Sequence, residues 1–165
     1  MSALPPIVMI HGMWCVGEIW SSFRLPFEAA GYTVHTPTLR HHALGAPHPE
    51  LGTTSLRDYV DDLAAFIATL PERPILIGHS MGGLLTQLLV AKGLAKAAIL
   101  VCSAAPRGVF PVRLSMLPAT TRIFSTPGFW KKPNKLNARE ARYAVFNEIS
   151  EGEAEARIDD LVHES

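Results

Sequence analysis

The sequence predicts an α/β fold in which a parallel sheet lies between layers of helices. Short apolar runs alternate along the chain with longer segments whose apolar residues recur at helical spacing. These runs do not alternate between polar and apolar residues, which is typical of strands buried on both faces of a parallel sheet. The connections are short except for one loop, so we expect right-handed crossovers between neighbouring strands.

Each predicted element is justified by its pattern and by the residues that end it. Gly31 and Gly93 follow helical segments and are natural C-terminal caps. Pro71 closes the second helix, and Pro74 begins the third strand. In chain order, the predicted strands cover residues 7–10, 32–37, 75–77 and 97–101, the predicted helices cover 18–30, 53–70 and 84–91, and the long loop covers 38–52.

The composition fits one globular domain and excludes several classes of protein. The chain has 165 residues, of which 48% are hydrophobic and 18% are charged, so it can bury a core. Fifteen basic and fifteen acidic side chains cancel, which disfavours nucleic acid and anionic membranes as partners. No apolar run approaches the ~20 residues of a membrane span. With only Cys15 and Cys102, the composition predicts a cytoplasmic protein with two buried free thiols.

A change of pattern after residue 103 divides the chain into two parts. Residues 1–103 contain the predicted strands and the helices between them. Residues 104–165 contain frequent prolines and no recognisable buried strand, so we expect a helical segment there. Two helix starts in this part have capping-box sequences, Asn137 with Glu140 and Ser150 with Glu153.

A Gly-x-Ser-x-Gly pattern lies between the third predicted strand and the helix that follows it. Residues 78–83 read Gly-His-Ser-Met-Gly-Gly, with Gly78 and Gly82 two residues to either side of Ser80. A serine on a sharp, strained strand-to-helix turn is a nucleophile elbow, and small neighbours permit that turn. Gly83 would let the helix approach the sheet. We therefore predict Ser80 as a nucleophile, and the alternative is a serine that only caps the helix.

Two backbone amides are expected to stabilise the oxyanion that forms when a serine attacks a carbonyl. One is the amide of Met81, directly after the nucleophile. The other belongs to the turn after the first strand, where His11 and Gly12 precede Met13, the expected donor.

Three neighbouring side chains are expected to support this site. His11 and His79 are predicted to position their loops through their ring nitrogens. Trp14 is predicted to line the substrate pocket, and the alternative is an aromatic residue packed within its loop.

On these residues the chain resembles the α/β-hydrolase fold superfamily, in its cap-bearing serine esterase and lipase-like branch. The resemblance rests on His11-Gly12 after the first strand and on the elbow at 78–83, and it covers roughly residues 5–103. It implies a three-layer core that hydrolyses carboxylic esters through an acyl-enzyme, with no cofactor and no metal. It also implies a helical cap from residue 104 onward. Four aromatic residues of that cap would roof the substrate pocket or form the cap's own core: Phe110, Phe124, Phe129 and Trp130.

The chain departs from the family where the catalytic acid and histidine should follow the serine. The sequence ends within the expected cap, so we expect the acid and the histidine to be missing or to lie outside this chain. The only histidine after Ser80 is His163, which follows Asp159 and Asp160 at helical spacing. A triad from these residues is disfavoured, because general-base catalysis tolerates little error in geometry. A metal site in the long loop is also not expected, although four candidate ligands occur there: His41, His42, His48 and Glu50.

These observations leave several functional hypotheses open. The first is a hydrolase of small-molecule carboxylic esters. The second is a catalytically inactive module of this fold that associates with a partner, since a fourth strand at the edge would expose hydrogen-bonding groups. A second chain or a second copy would then cover that edge. A lactone, amide or carbon–carbon hydrolase on the same fold is a third.

Overall fold

A four-stranded parallel sheet lies at the centre of the computed structural model, which describes residues 4–109 and 117–165. Its strand order is β2-β1-β3-β4, and Gly78 of β3 lies opposite Ile10 on one side and Leu100 on the other. The carboxyl ends of β1, β3 and β4 therefore lie side by side. The strands are β1 (Ile7–Ile10), β2 (Val34–His35), β3 (Ile75–His79) and β4 (Ala97–Val101).

Helices pack on both faces of this sheet. Successive side chains of a strand point to opposite faces, so neighbouring residues of β1 contact different helices. On one face, Ile7 and Met9 pack with Trp20, which precedes the first helix. On the other face, Val8 and Ile10 pack with side chains of the second and third helices. This arrangement confirms the α/β architecture with a parallel sheet. The three helices are α1 (Ser21–Ala29), α2 (Leu56–Ala68) and α3 (Met81–Ala91).

Some observed boundaries differ from the predicted ones for local reasons. The chain forms a 3₁₀ turn at Gly17–Trp20 before α1 begins, so the helix predicted over 18–30 is divided. Helix α2 begins after Ser55, because Ser55 and Asp58 form a capping box. Strand β2 is shorter than predicted, and Pro37, which has no N–H, cannot extend its ladder.

Residues 117–165 form a helical segment that packs around its own apolar cluster. Both predicted capping boxes are present: Asn137 Oδ1 accepts from the Glu140 N–H, and Ser150 Oγ accepts from the Glu153 N–H. The helices are α4 (Leu117–Ser125), α5 (Ala138–Ala144) and α6 (Glu151–Ile158). Helix α4 was not predicted, and its proline at position 118 lies in the first turn, where a proline breaks no helical hydrogen bond. No helix in the described ranges is long and apolar enough to cross a membrane.

The outer edge of β4 is exposed. Ile99 and Leu100 are 49% and 46% exposed, although they belong to a sheet strand. On the neighbouring helix α3, Leu88 and Val90 are also exposed. In the part of the chain that the structure describes, no further strand pairs with β4. Within the described residues, β4 therefore lies at the edge of the sheet, and what covers this edge stays a prediction.

Candidate active site

Ser80 lies at the turn between β3 and α3, in a backbone conformation that residues other than glycine rarely adopt. Its φ is 52° and its ψ is −117°. Two backbone hydrogen bonds to the chain after β3 and α3 hold this conformation: the Ser80 N–H donates to Val101 O at 3.0 Å, and the Ala104 N–H donates to Ser80 O at 2.8 Å. Strain of this kind persists only where the surrounding structure fixes it, and it is frequent at active sites. This is the geometry that a nucleophile elbow requires.

Glycines allow the backbones around Ser80 to approach one another closely. A Cβ on Gly78 would overlap the Gly82 carbonyl, and a Cβ on Gly82 would overlap the carbonyl of Ile10. A Cβ on Gly83 would lie 2.7 Å from Ser103 Cβ. Larger residues at these positions would therefore push the elbow away from β1 and from the chain after β4.

The turn after β1 lies directly against the elbow. A Cβ on Gly12 would lie 3.0 Å from Ser80 Cβ and 3.1 Å from His79 Nδ1. Met13 follows Gly12, and Met81 is the first residue of α3, whose amide has no partner within the helix. Among the residues that the structure describes, neither the Met13 N–H nor the Met81 N–H donates a hydrogen bond. One free donor therefore directly follows Ser80, and the other follows Gly12, which borders Ser80 in space. Their role in oxyanion binding stays a prediction.

His11 fixes the turn after β1 to the loop after β2. Its ring is fully buried, its Nδ1–H donates to Gly12 O at 2.8 Å, and its Nε2 accepts from the Leu39 N–H at 3.0 Å. Burial lowers the pKa of His11 to about 4, so the ring is neutral at physiological pH. Burial also lowers the pKa of His79, which borders Gly12.

Trp14 joins the turn to the helical segment. Its indole N–H donates to Asn134 Oδ1 at 3.0 Å, and its ring packs against the apolar cluster of that segment. Its φ is 59°, so the turn contains a second strained residue. These contacts match the alternative of a packed loop aromatic, and a role in a substrate pocket stays a prediction. Three of the four aromatic residues predicted for the cap contact one another edge-on, namely Phe124, Phe129 and Trp130, whereas Phe110 lies outside the described residues.

Two cavities lie away from the elbow. One, of about 730 Å³, lies between the loops after β1 and β2 and the end of α6, and its lining includes Cys15, Leu44 and Leu161. The other, of about 300 Å³, lies in the helical segment and includes His163. Neither is lined by Ser80, Met13 or Met81. They therefore do not define a substrate pocket at the serine.

Within residues 4–109 and 117–165, no histidine forms a hydrogen bond with Ser80. His163 lies in the helical segment, where its Nδ1 is buried without a hydrogen-bond partner. Burial, together with the Lys135 ammonium, lowers the pKa of His163. These surroundings do not support a triad of His163 with Asp159 and Asp160.

Sequence reasoning missed a buried ion pair between His42 and Glu164. His42 Nε2 lies 2.9 Å from Glu164 Oε2, and the side chains are 0% and 1% exposed. His42 Nδ1 faces Arg40 O at 3.0 Å, so both ring nitrogens meet acceptors and the ring is an imidazolium. Burial opposes both charges, but the hydrogen bond and the opposite charge raise the pKa of His42 and lower the pKa of Glu164. No sequence pattern indicates the pair, because 122 positions separate its members.

The other loop histidines form an exposed cluster with Glu50. Donor atoms of His41, His48 and Glu50 lie within 4.8 Å of one another. However, the two imidazole rings stack with centroids 4.0 Å apart and 15° between their planes. Because the lone pair of a ring nitrogen lies in the ring plane, stacked rings do not direct their nitrogens at one ion. This arrangement does not favour a metal site.

Two known proteins are similar in sequence to about half of this chain. A pyrethroid hydrolase from Sphingobium wenxiniae is 34% identical over 77 residues, which are 47% of this chain and 27% of that protein. Methylesterase 17 from Arabidopsis thaliana is 33% identical over 86 residues, which are 48% of this chain and 29% of that protein. The chain thus matches less than a third of the length of these curated relatives.

A solved structure and a family model cover nearly the whole chain. An extracellular α/β-hydrolase from a Paenibacillus species, described as sharing structural and functional homology with tobacco salicylic acid binding protein 2, superposes with a TM-score of 0.78. It is 22% identical, and the match covers 98% of this chain and 67% of that one, which supports the fold alone. The model of the alpha/beta hydrolase family matches residues 7–162. The chain therefore belongs to the alpha/beta hydrolase family.

Proposed function

We propose that this chain carries the nucleophile and the oxyanion-binding amides of a carboxylic ester hydrolase. The observation that carries the proposal is the strained turn at Ser80, which lies against the turn after β1. Relatives named as a pyrethroid hydrolase and a methylesterase support small-molecule esters as the substrate class. The same turn would serve lactone or amide hydrolysis, and the names of the two relatives favour an ester as the substrate.

In the proposed mechanism, Ser80 Oγ attacks the ester carbonyl carbon while a general base takes its proton. The carbonyl oxygen becomes an oxyanion and accepts hydrogen bonds from the Met13 and Met81 amides, each of which contributes about 3 kcal/mol to the barrier reduction. Collapse of the intermediate breaks the bond to the alcohol, which leaves with the proton, and the acyl group stays on Ser80. Water then attacks the acyl-enzyme and releases the acid. The N-terminus of α3 favours the negative charge throughout.

We propose that the general base and its carboxylate come from polypeptide outside these 165 residues. No described histidine forms a hydrogen bond with Ser80, and the chain spans 67% of the length of the Paenibacillus relative. The exposed edge of β4, where Ile99 and Leu100 lie, is the surface on which further polypeptide or a second copy of this chain would continue the sheet.

Labelling with a fluorophosphonate tests the role of Ser80, because such probes form a covalent bond with activated serines. In protein that also contains the polypeptide supplying the general base, we expect the label on the peptide that contains Ser80, no label in Ser80→Ala, and unchanged labelling in Ser125→Ala, which alters an exposed serine at the end of α4. The parent protein and Ser125→Ala should hydrolyse p-nitrophenyl acetate at similar rates, whereas Ser80→Ala should not hydrolyse it. Equal turnover by Ser80→Ala and the parent chain would contradict the proposal.

A catalytically inactive module is the second candidate, and the exposed β4 edge favours it. Serine hydrolases that lack triad members keep roughly 10³ to 10⁴ of their acceleration over water. If this candidate is right, the chain self-associates or binds a partner, and the fluorophosphonate does not label Ser80. Rapid labelling of Ser80 would exclude it.

We further propose that the protein works in the cytoplasm. Cys15 and Cys102 are both free thiols, but the prediction that both are buried is wrong, since Cys102 is exposed. Burial raises the pKa of Cys15 to about 11, which keeps that thiol unreactive. Fractionation of cells, with detection of the protein by a specific antibody, tests this location.

A further inference from the structure

Residues 161–165, called the tether segment below, hold the turn that contains Met13. The Val162 N–H donates to Trp14 O at 2.8 Å. Asn134, which receives the Trp14 indole hydrogen bond, also pairs with Glu164 through two backbone hydrogen bonds of 2.8 Å. Trp14 directly follows Met13. The tether segment and its neighbour Asn134 therefore hold the turn through both the backbone and the side chain of Trp14.

The side chain of Glu164 anchors the tether segment in the core. Its Oε2 accepts from His42 in the loop after β2, and its Oε1 accepts from the Tyr59 hydroxyl of α2 at 2.9 Å and from the Ser165 N–H at 2.9 Å. A buried carboxylate needs such donors, because a charge without partners is strongly unfavourable in the interior. Glu164 therefore joins the tether segment to two elements of the α/β core.

A second set of contacts connects Glu164 to the same turn, through His42 and His11. The ring of His42 meets the ring of His11 edge-on, with centroids 5.2 Å apart. His11 in turn donates to Gly12 O. Gly12 and Trp14 flank Met13, so both sets of contacts from Glu164 reach a residue next to Met13.

We propose that Glu164 is a positioning residue for the turn that carries the Met13 amide. It does not contact Ser80 and acts through the tether segment and through His42. The strained backbone of Trp14 needs surroundings that fix it, and these contacts supply them. The inference rests on the proposed function, because the position of the Met13 amide affects a reaction only if Ser80 is the nucleophile. A misplacement of about 1 Å in such a group costs about a hundredfold in rate.

Two substitutions of Glu164 separate this role from simple packing. In Glu164→Gln, the amide oxygen can accept from Tyr59 and Ser165, and the amide NH₂ can donate to Nε2 of a neutral His42 whose Nδ1–H still donates to Arg40 O. The tether then stays in place. In Glu164→Ala, these hydrogen bonds are lost. Glu155→Ala, which removes an exposed glutamate from α6, is the matched control.

The experiment measures hydrogen exchange and serine labelling on the same ¹⁵N-labelled chains. For Glu164→Ala we expect exchange of the Val162 amide and of the Trp14 indole N–H to be at least about tenfold faster, and labelling of Ser80 by the fluorophosphonate to be about 10- to 100-fold slower. For Glu164→Gln and Glu155→Ala we expect both rates within about threefold of the parent chain. The ¹⁵N signals of His42 should change from a doubly protonated ring to a neutral one in Glu164→Gln.

The outcomes separate this inference from the proposed function. Unchanged exchange in Glu164→Ala would overturn it, as would faster exchange with unchanged labelling, since Glu164 would then be structural only. If the parent protein, with the polypeptide that supplies the general base, is not labelled at all, the proposed function fails, whereas exchange at Val162 still decides whether Glu164 holds the turn. If Glu164→Ala does not fold, Tyr59→Phe replaces it: faster exchange at Val162 with unchanged exchange at Leu89 of α3 supports the tether, and no change at Val162 overturns it.

Discussion

His11 should make the stability of the protein depend on pH, and His11→Gln tests this. In the fold its pKa is about 4 because burial disfavours the charged ring, whereas its ordinary value is 6.5. As the pH falls below 6.5, the His11 ring takes up a proton in the unfolded chain but stays neutral in the folded chain. The free energy of unfolding therefore decreases until the pH nears 4. The whole difference corresponds to about 3 kcal/mol, of which about 2 kcal/mol is lost between about pH 7 and about pH 5.

Urea unfolding at several pH values measures this effect as a difference between proteins. Gln can donate to Gly12 O and accept from the Leu39 N–H as His11 does, but it does not titrate. We therefore expect the parent chain to lose about 2 kcal/mol relative to His11→Gln between about pH 7 and about pH 5. His42, whose pKa is raised, acts in the opposite direction, and its contribution cancels in the comparison. The exposed His48→Gln serves as control, and parallel pH profiles for the parent chain and His11→Gln would refute the reasoning.

Three further predictions concern the elbow and the sheet edge. Gly78→Ala should lower the free energy of unfolding by about 3 kcal/mol, because its Cβ would overlap the Gly82 carbonyl, whereas Gly152→Ala in α6, where a Cβ meets nothing within 4 Å, should not lower it; urea unfolding compares the two. Ser80→Gly should be more stable than Ser80→Ala by about 1 kcal/mol, because glycine relieves the strain at a φ of 52°, and equal melting temperatures would argue against strain. Ile99→Lys should weaken any self-association through the β4 edge, and sedimentation velocity should then show a larger monomer fraction than for the parent chain.

The elements that the sequence predicted well are those whose signals are local. The apolar run at residues 97–101 coincides with β4, and the capping boxes at Asn137 and Ser150 begin α5 and α6. The signal for the elbow at Ser80 is also local, since the strand, the Gly78-His79-Ser80-Met81-Gly82 motif and the helix follow one another directly along the chain. The family resemblance stated on these motifs is confirmed by the family match.

The features that the sequence did not indicate depend on contacts between distant residues. The partner of His42 is Glu164, and the residues next to either one in the sequence give no indication of an ion pair. Trp14 contacts Asn134 across 120 positions, so its role in joining the turn to the helical segment could not be inferred from its loop. Helix α4 was missed because prolines were interpreted as breaks, although one in a first turn is compatible with a helix.

Two of the backbone hydrogen bonds of Ser80 make the geometry of the elbow depend on the chain that leaves β4. Val101 accepts from one side of Ser80 and Ala104 donates to the other, while Gln87 of α3 secures Ser103 between them through a hydrogen bond of 2.8 Å. This stretch leads out of the sheet toward the helical segment. The backbone of Ser80 is therefore held by residues more than twenty positions away, so a substitution that shifts this stretch would alter the geometry of the elbow without touching its glycines.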